Sequence, residues 1–260
     1  MIDMTQTNPS DRANWSRHEI KYLVSESTAQ GIVDYIRPLM WLDRFSEFQQ
    51  DYAYPIVSLY FDSDRLRLYQ ETAQGIKDRF KLRIRRYSDD PEFPSFFEIK
   101  HRINRTVYKS RGRVMAKSVP SLIEGKTRPP SDDNRESKNV AQFLLLTTRV
   151  RARPIVRTRY RRQAFESYAD KNVRLTFDRE FCFAVTQNLD TSLEGPGWHR
   201  LPLSNGVILE IKFNGRFPAW MSRMVKYFQC DQKSISKYGL SIEGSHLLKF
   251  CSPQFSRGLF

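Results

Sequence analysis

KLRIRRY, Lys81 to Tyr87, followed closely by FFEIKHR, Phe96 to Arg102, is the stretch whose reading decides the fold. In an extended strand successive side chains point to opposite faces. Lys81, Arg83 and Arg85 then share one face and Leu82 and Ile84 the other, while Glu98 and Lys100 share a face against Phe97 and Ile99. The intervening SDDPEFP carries the Asp and Pro residues of a loop. The result is a hairpin with one apolar and one charged face. Taken alone, such a hairpin is equally well an ordinary sheet with its polar side in water, so the weight rests on whether other strands repeat it.

They do. RHEIKYLV (Arg17–Val24) sets Arg17, Glu19 and Lys21 against Ile20 and Tyr22, and PIVSLYFDS (Pro55–Ser63) sets Ser58, Tyr60 and Asp62 against Val57, Leu59 and Phe61. TVYKSRGRV (Thr106–Val114) aligns Lys109, Arg111 and Arg113. In ARPIVRTRYRRQAF, from Ala152, Tyr160 and Arg162 share a face and Arg157, Arg159 and Arg161 take the other. VRLTFDREF (Val173–Phe181) groups Arg174, Thr176 and Asp178, and VILEIKF (Val207–Phe213) groups Glu210 and Lys212 against Val207, Leu209, Ile211 and Phe213. Between these strands three stretches have helical spacing. One follows a Ser25 or Ser27 cap, with Ile32, Ile36, Leu39 and Met40 on its apolar side and Pro38 as kink or end. The second is SKNVAQFLLLTTRV, with Val140, Phe143, Leu144 and Thr147; the third is FPAWMSRMVKYF, core or a lid over the sheet. LYQETAQGIKD reads as a connection, and Ala116 to Glu136 as a short helix plus mobile loop.

The 260 residues suffice for one large domain or two small ones, and 18 Phe, 12 Tyr and 4 Trp can build a core. The expected division is a loose tail over residues 1–14 and a single domain over 15–260. Lys and Arg outnumber Asp and Glu by 43 to 29, a net charge of +14, which calls for an anionic partner: nucleic acid, phospholipid head groups or a polyanionic small molecule. Three cysteines, Cys182, Cys230 and Cys251, with no CxxC pair, argue against a disulfide scaffold or structural zinc and fit a reducing compartment. The opening MIDMTQTNPSDRANW has no apolar signal core, and no run approaches the ~18 apolar residues of a transmembrane helix. A cytoplasmic protein is the expectation. GKT at Gly125–Thr127 is not a P-loop, because Pro120 stands where the first Gly is required, and the four histidines show no metal spacing.

Strands with one charged and one apolar face fit two architectures. One is an open sheet whose basic side binds nucleic acid. The other is a closed antiparallel barrel with apolar faces outward under flanking helices and charged faces inward, tolerable only when a polyanion fills a wide, wet lumen. Glu19, Glu98 and Glu210 would then offset part of the positive charge or hold a divalent cation. Nucleic acid is disfavoured because the aromatics mostly alternate away from the charged faces, leaving few stacking platforms.

The ordered set RHEIKY, SLYFD, KLRIRRY, FFEIKHR, RPIVRTRYRRQAF, VRLTFD, ILEIKF and SKY, from Arg17 to Gly239, resembles the VTC domain, the catalytic domain of polyphosphate polymerases within the triphosphate tunnel metalloenzymes. The resemblance implies an α+β fold dominated by antiparallel β, closed as a triphosphate-tunnel β-barrel with flanking helices. It implies a phosphotransferase that makes polyphosphate from a nucleoside triphosphate such as ATP, with Mn²⁺ or Mg²⁺ on acidic side chains. It places the phosphate-binding cations on Lys21, Arg83, Arg85, Lys100, Arg162 and Arg174, and the metal-binding carboxylate on Glu210, with Glu19 or Glu98 as companions. Lys109, Arg111, Lys212, Ser236 and Lys237 are further substrate-binding candidates. Tyr60 is another, although a tyrosine there more often packs, and Lys233 sits one residue from where a second C-terminal lysine is expected. Hydrolytic tunnel enzymes open on Glu-x-Glu-x-Lys, whereas this chain has Arg17 at the first position, which favours the polymerase branch over two-metal hydrolysis. A triphosphate hydrolase and a non-catalytic polyphosphate-binding module are the alternatives.

Overall fold

The computed structural model describes residues 17–104, 106–129, 134–201, 206–245 and 247, the side chain of Arg17 excepted. The expected N-terminal tail, residues 130–133 of the expected loop, His246 and Cys251 lie outside the described residues. In chain order the elements are β1 (Arg17–Val24), α1 (Glu26–Ile36), β2 (Met40–Leu42), α2 (Arg44–Glu47), β3 (Tyr54–Asp62), α3 (Arg67–Ala73), β4 (Asp78–Arg86), β5 (Pro94–Ile103) and β6 (Thr106–Met115). A 3-10 turn (Ala116–Ser118) leads to α4 (Val119–Ile123) and α5 (Arg135–Arg149). There follow β7 (Arg153–Ser167), β8 (Arg174–Val185), β9 (His199–Arg200), β10 (Val207–Asn214), α6 (Ala219–Tyr227) and α7 (Lys237–Glu243).

The strands form one sheet in the order β1-β10-β8-β7-β3-β4-β5-β6, with β2 on β7 and β9 on β8. The described registers are antiparallel, for example β1 with β10, β4 with β5 and β5 with β6. The fold class is therefore α+β dominated by antiparallel β. The expected closure into a barrel is not found: among the described pairings β1 and β6 stand at the two ends. Each end edge is occupied in another way. Along β1, Tyr22 bridges to Gln232 and the Lys233 N–H donates to the Lys21 carbonyl. On β6, the Arg111 carbonyl accepts from Asn139 Nδ2 of α5. Covering an edge with a helix or a loop removes the unpaired groups that a further strand would need.

The chain divides into two compact units. The first comprises Met1–Ile56, Tyr160–Phe181 and Pro202–Ile235. Here Tyr22, Leu175, Phe177, Leu209, Ile211 and Phe213, the apolar alternates of three strands, pack under α1 and α6 through Ile32, Ile36, Met221 and Met224. Ser25 caps α1 by accepting from the Thr28 N–H, and the helix stops at Ile36, so Met40 opens β2 instead of extending the helix as its spacing suggested.

The second unit comprises Val57–Arg159, Cys182–Leu201 and Ser236–Phe260. Leu59, Phe61, Leu82, Ile84, Phe97 and Ile99 pack there against Leu122, Val140 and Phe143 of α4 and α5. Asn134 caps α5 by accepting from the Ser137 N–H. The helix lies so close to β6 that a Cβ at Gly112 would stand 2.5 Å from the Glu136 carbonyl oxygen. The stretch expected as a connection after β3 contains α3, whose exposed-looking sequence is held by Asp62: its carboxylate accepts from the N–H groups of Leu68 and Tyr69. In both units the apolar alternates sit under helices and the charged alternates take the opposite face, as the sequence pattern requires.

Candidate functional site

In the second unit the charged face is organised around Glu98. The register sets Glu98 directly opposite Arg83 of β4 on one side and Arg111 of β6 on the other. Arg83 Nη2 lies 2.6 Å from Oε2, Arg111 Nη2 lies 2.6 Å and Lys109 Nζ 3.1 Å from Oε1, and Arg85 Nε stands 3.9 Å away. The carboxylate is 1% exposed. Burial alone would raise its pKa, but Arg83, Lys109, Arg111 and Arg85 outweigh that and hold it well below the usual carboxylate range. Both oxygens of Glu98 are thus engaged by cations.

Two residues further along, on the same face, the register aligns Lys81, Lys100 and Lys109 across β4, β5 and β6. Like charges directly opposite one another destabilise a sheet. The Arg83–Glu98–Arg111 row balances its charges within the sheet; in the row beside it three ammonium groups lie side by side, with Lys109 also reaching Glu98 and Lys81 reaching Ser236. Arg85 reaches Ser58 Oγ at 3.2 Å, and Arg83 Nη1 reaches the Tyr60 hydroxyl at 3.2 Å. Burial opposes ionisation of Tyr60, yet Arg83, Arg85 and Lys237 bring its phenol below the ordinary value. Lys81 Nζ donates to Ser236 Oγ at 2.8 Å, which places Ser236, the cap of α7, against the same strand face. Towards α7 the face turns aromatic: Tyr60 stacks on Tyr238 at 5.0 Å, in a cluster with Tyr69, Phe183 and Ile242. Lys237, at 9% exposure, sits beside that cluster at the head of α7.

In the first unit the expected cations meet carboxylates one by one. Arg162 makes a two-pronged bond to Asp178, Nε to Oδ1 at 2.6 Å and Nη2 to Oδ2 at 2.8 Å, with Asp178 fully buried. Lys21 lies 2.9 Å from Glu19 and 3.7 Å from Glu210, and Lys212 pairs with the other Glu210 oxygen. Burial would lower the Lys21 ammonium, but Glu19, Glu210 and Asp178 push it above the ordinary lysine value. Lys212 goes the other way, down to about 8, because desolvation and the neighbouring Arg162 outweigh Glu210 and Glu19. Arg174 is held by Asp43 at 2.5 Å and Glu166 at 3.4 Å, and Asp43 also caps α2. Lys233 contributes its backbone N–H to β1. Among the described residues no group of three or more His, Cys, Asp or Glu side chains is arranged to hold a metal. What is present is Glu210 at 5% side-chain exposure, with Glu19 sharing Lys21. Such a donor set suits Mg²⁺ or Mn²⁺ bound through one or two carboxylates plus substrate phosphates, and does not suit an all-protein cage.

The other face of β7 has a different task. Arg157 reaches Asp190, Ser192 Oγ and the Pro196 carbonyl, and Arg159 the Leu193 carbonyl, with both guanidinium groups over the Trp198 ring at 4.5 and 4.8 Å. Arg161 ties Asp51 and the Ala53 carbonyl. The basic run in this strand therefore splits by parity, as its alternation implied, and the odd-numbered arginines pin loops. Reading by sequence left three residues unassigned. Asp178 was legible only as a face mate of Arg174 and Thr176, and Asp43 carried no sequence signal of its own beyond its place before α2. Tyr87 continues the alternation of Lys81, Arg83 and Arg85, and its hydroxyl accepts from Arg111 Nη2 at 3.0 Å.

An antiparallel α+β domain whose strand faces gather basic side chains around single buried carboxylates is the class these observations define. Residues 16–246 match the VTC domain family, and the chain belongs to it. A curated relative, Vacuolar transporter chaperone complex subunit 4 of Trypanosoma brucei brucei, is 26% identical over 204 residues, which cover 64% of this chain and 25% of that protein. The chain thus spans about a quarter of that relative's length. Solved structures of a candidate adenylate cyclase from Vibrio parahaemolyticus and of a Pyrococcus horikoshii protein each align to 88% of this chain at 13% identity, covering 98% and 99% of those chains with TM-scores of 0.47 and 0.45. At that level neither likeness carries an argument. No helix among the described residues is long and apolar enough to cross a membrane.

Proposed function

We propose that this chain is a phosphotransferase of the polyphosphate-polymerase kind, which moves the terminal phosphoryl group of a nucleoside triphosphate onto the end of a phosphate chain. The observation that carries the reading is the row of Lys81, Lys100 and Lys109 beside the Arg83–Glu98–Arg111 row. Stacked like charges are costly in an empty sheet and become favourable once an anion with many oxygens lies along them. Family membership agrees with it.

In this reading Glu98 serves as an organiser: it fixes the guanidinium planes of Arg83 and Arg111 so that their remaining N–H donors face the substrate. Asp178 does the same for Arg162, and Asp43 and Glu166 for Arg174. Arg85, Lys81, Lys100, Lys109, Ser236 and Lys237 add donors along the face in the second unit, with Tyr60 holding Arg83. Lys21 and Lys212 flank Glu210, the residue assigned to Mg²⁺ or Mn²⁺, with Glu19 as its companion. A divalent cation there supplies charge neutralisation on phosphoryl oxygens. The chain's own residues bind and orient the phosphates, and phosphoryl transfer needs little more than positioning and charge compensation. The nucleophile is a phosphate oxygen of the chain end, so no protein nucleophile is required. The relative's membership of a chaperone complex makes protein partners part of the proposal.

Incubation with ATP and Mn²⁺ tests it. A polymerase yields ADP and lengthening chains, and Glu210→Ala loses metal-dependent turnover while keeping its fold. Free phosphate as the sole product points to a hydrolase, and tripolyphosphate binding without turnover to a binding module. Wild-type turnover by Glu210→Ala counts against the metal assignment.

A further inference from the structure

We propose that Tyr87 is a further residue of the phosphate-binding face, the internal anion that an arriving phosphate displaces, so that binding at the Glu98 cluster is coupled to uptake of one proton by the Tyr87 oxygen. This inference rests on the reading of that cluster as a phosphate site. Its geometry is independent of that reading. Arg111 is fixed on three sides: Nε donates to Glu98 Oε1 at 2.7 Å, Nη2 donates to the Tyr87 oxygen at 3.0 Å, and the guanidinium carbon stands 4.6 Å from the centre of the Phe96 ring. The Tyr87 ring packs edge-on against the same Phe96 at 5.6 Å. An arginine offers only donors, so the phenol oxygen must accept.

The charge count gives the reason for an anion at this position. Arg83, Arg85, Lys109 and Arg111 place four cations about Glu98, a single carboxylate. The groups facing Tyr87 include Arg111 and Lys109 from β6, Arg85 from β4 and Glu98 from β5. Burial would raise the phenol, but Arg111, Arg85 and Lys109 outweigh both burial and the opposing Glu98, and bring it down to about 7. Above neutral pH these cations therefore favour the phenolate in the unliganded protein. A phosphate chain laid against the same cations brings several negative charges, which raise the phenol's pKa again. The phenolate takes a proton from the buffer, no bond other than O–H forms, and the neutral hydroxyl is left able to donate to a phosphate oxygen.

The sign follows from linkage. Each proton taken up on binding makes affinity fall about tenfold per pH unit above the empty-state pKa. The experiment is calorimetric titration of the full chain with tripolyphosphate, slightly above neutral pH, in two buffers of different ionisation enthalpy. Wild type takes up a substantial fraction of a proton more than Tyr87→Phe, and the near-ultraviolet tyrosinate absorbance of the unliganded protein, present in wild type and reduced in the variant, declines as tripolyphosphate is added. Tyr87→Phe preserves the ring and its packing on Phe96, and a retained cooperative unfolding transition confirms that the variant folds. Equal proton uptake by the two proteins, with binding intact, overturns the role of Tyr87 and leaves the phosphate site standing. Absence of tripolyphosphate binding in wild type overturns both.

Discussion

Replacing Glu98 with Gln removes the one carboxylate from a point where four cations converge, and its consequences can be worked from the structure. Arg83 and Arg111 lie 2.6 Å from its oxygens, and the carboxylate is 1% exposed. Removing one partner of a buried ionic group costs about 3–5 kcal/mol. Lys109, with 38% of its side chain exposed, can turn into solvent, whereas Arg85 at 7% cannot, so the lower part of that range is expected. At ~2–4 °C per kcal/mol for a chain of this size, about 3 kcal/mol lowers Tm by roughly 6–12 °C. The pH dependence carries the sign. The folded-state pKa of Glu98 is depressed, so its contribution is complete above the ordinary carboxylate range and is lost as pH falls through the depressed value. The gap between wild type and Glu98→Gln therefore narrows in acid. Tripolyphosphate should raise Tm at least as much in the variant as in wild type, because a bound anion takes over the missing charge. Thermal and denaturant unfolding across pH, with and without tripolyphosphate, measures all of this. An unchanged Tm, or a gap that stays constant into acid, would refute the placement of Glu98 as the counter-charge of the cluster.

Asp178→Asn keeps the shape of the side chain that holds Arg162 and removes its charge; an isolated buried guanidinium then costs about 3–5 kcal/mol, read as a shift in the denaturant midpoint. Gly112→Ala introduces a Cβ 2.5 Å from both the Glu136 carbonyl oxygen and Val140 Cγ2. The overlap must push α5 off β6 at a cost of about 1–3 kcal/mol, with faster hydrogen exchange in α5 and the β6 edge.

The alternation of KLRIRRY and its partners was sufficient to place the charged and apolar faces, because strand geometry leaves a side chain no third direction. Leu82 and Ile84 are fully buried, while Arg83 and Arg85 meet Glu98. Tyr87 has the same parity, but nothing in an aromatic side chain at that position distinguishes a partner for arginine from a core residue. The pairing of Arg162 with Asp178 was not legible: the two residues lie on separate strands, and their contact depends on a register that periodicity leaves undetermined. The same holds for closure. Two-faced strands are required by a barrel and permitted by an open sheet, and the choice is made at the edges, where Gln232, Lys233 and Asn139 occupy positions a strand would take. The left-handed Glu180, φ 54°, interrupts β8 and resets its parity, so that Phe177 packs under α1 while Phe183 joins the Tyr60 cluster. No composition rule marks that position.

The measurement closest to the central claim is the equilibrium affinity for tripolyphosphate of wild type, of Arg83→Ala, of Lys100→Ala and of Arg149→Ala, the last removing an exposed cation from α5. A charge-assisted hydrogen bond contributes about 1.5–3 kcal/mol, so loss of Arg83 or Lys100 should weaken binding roughly ten- to a hundredfold while Arg149→Ala binds as wild type. Equal affinity in all four proteins would contradict the account.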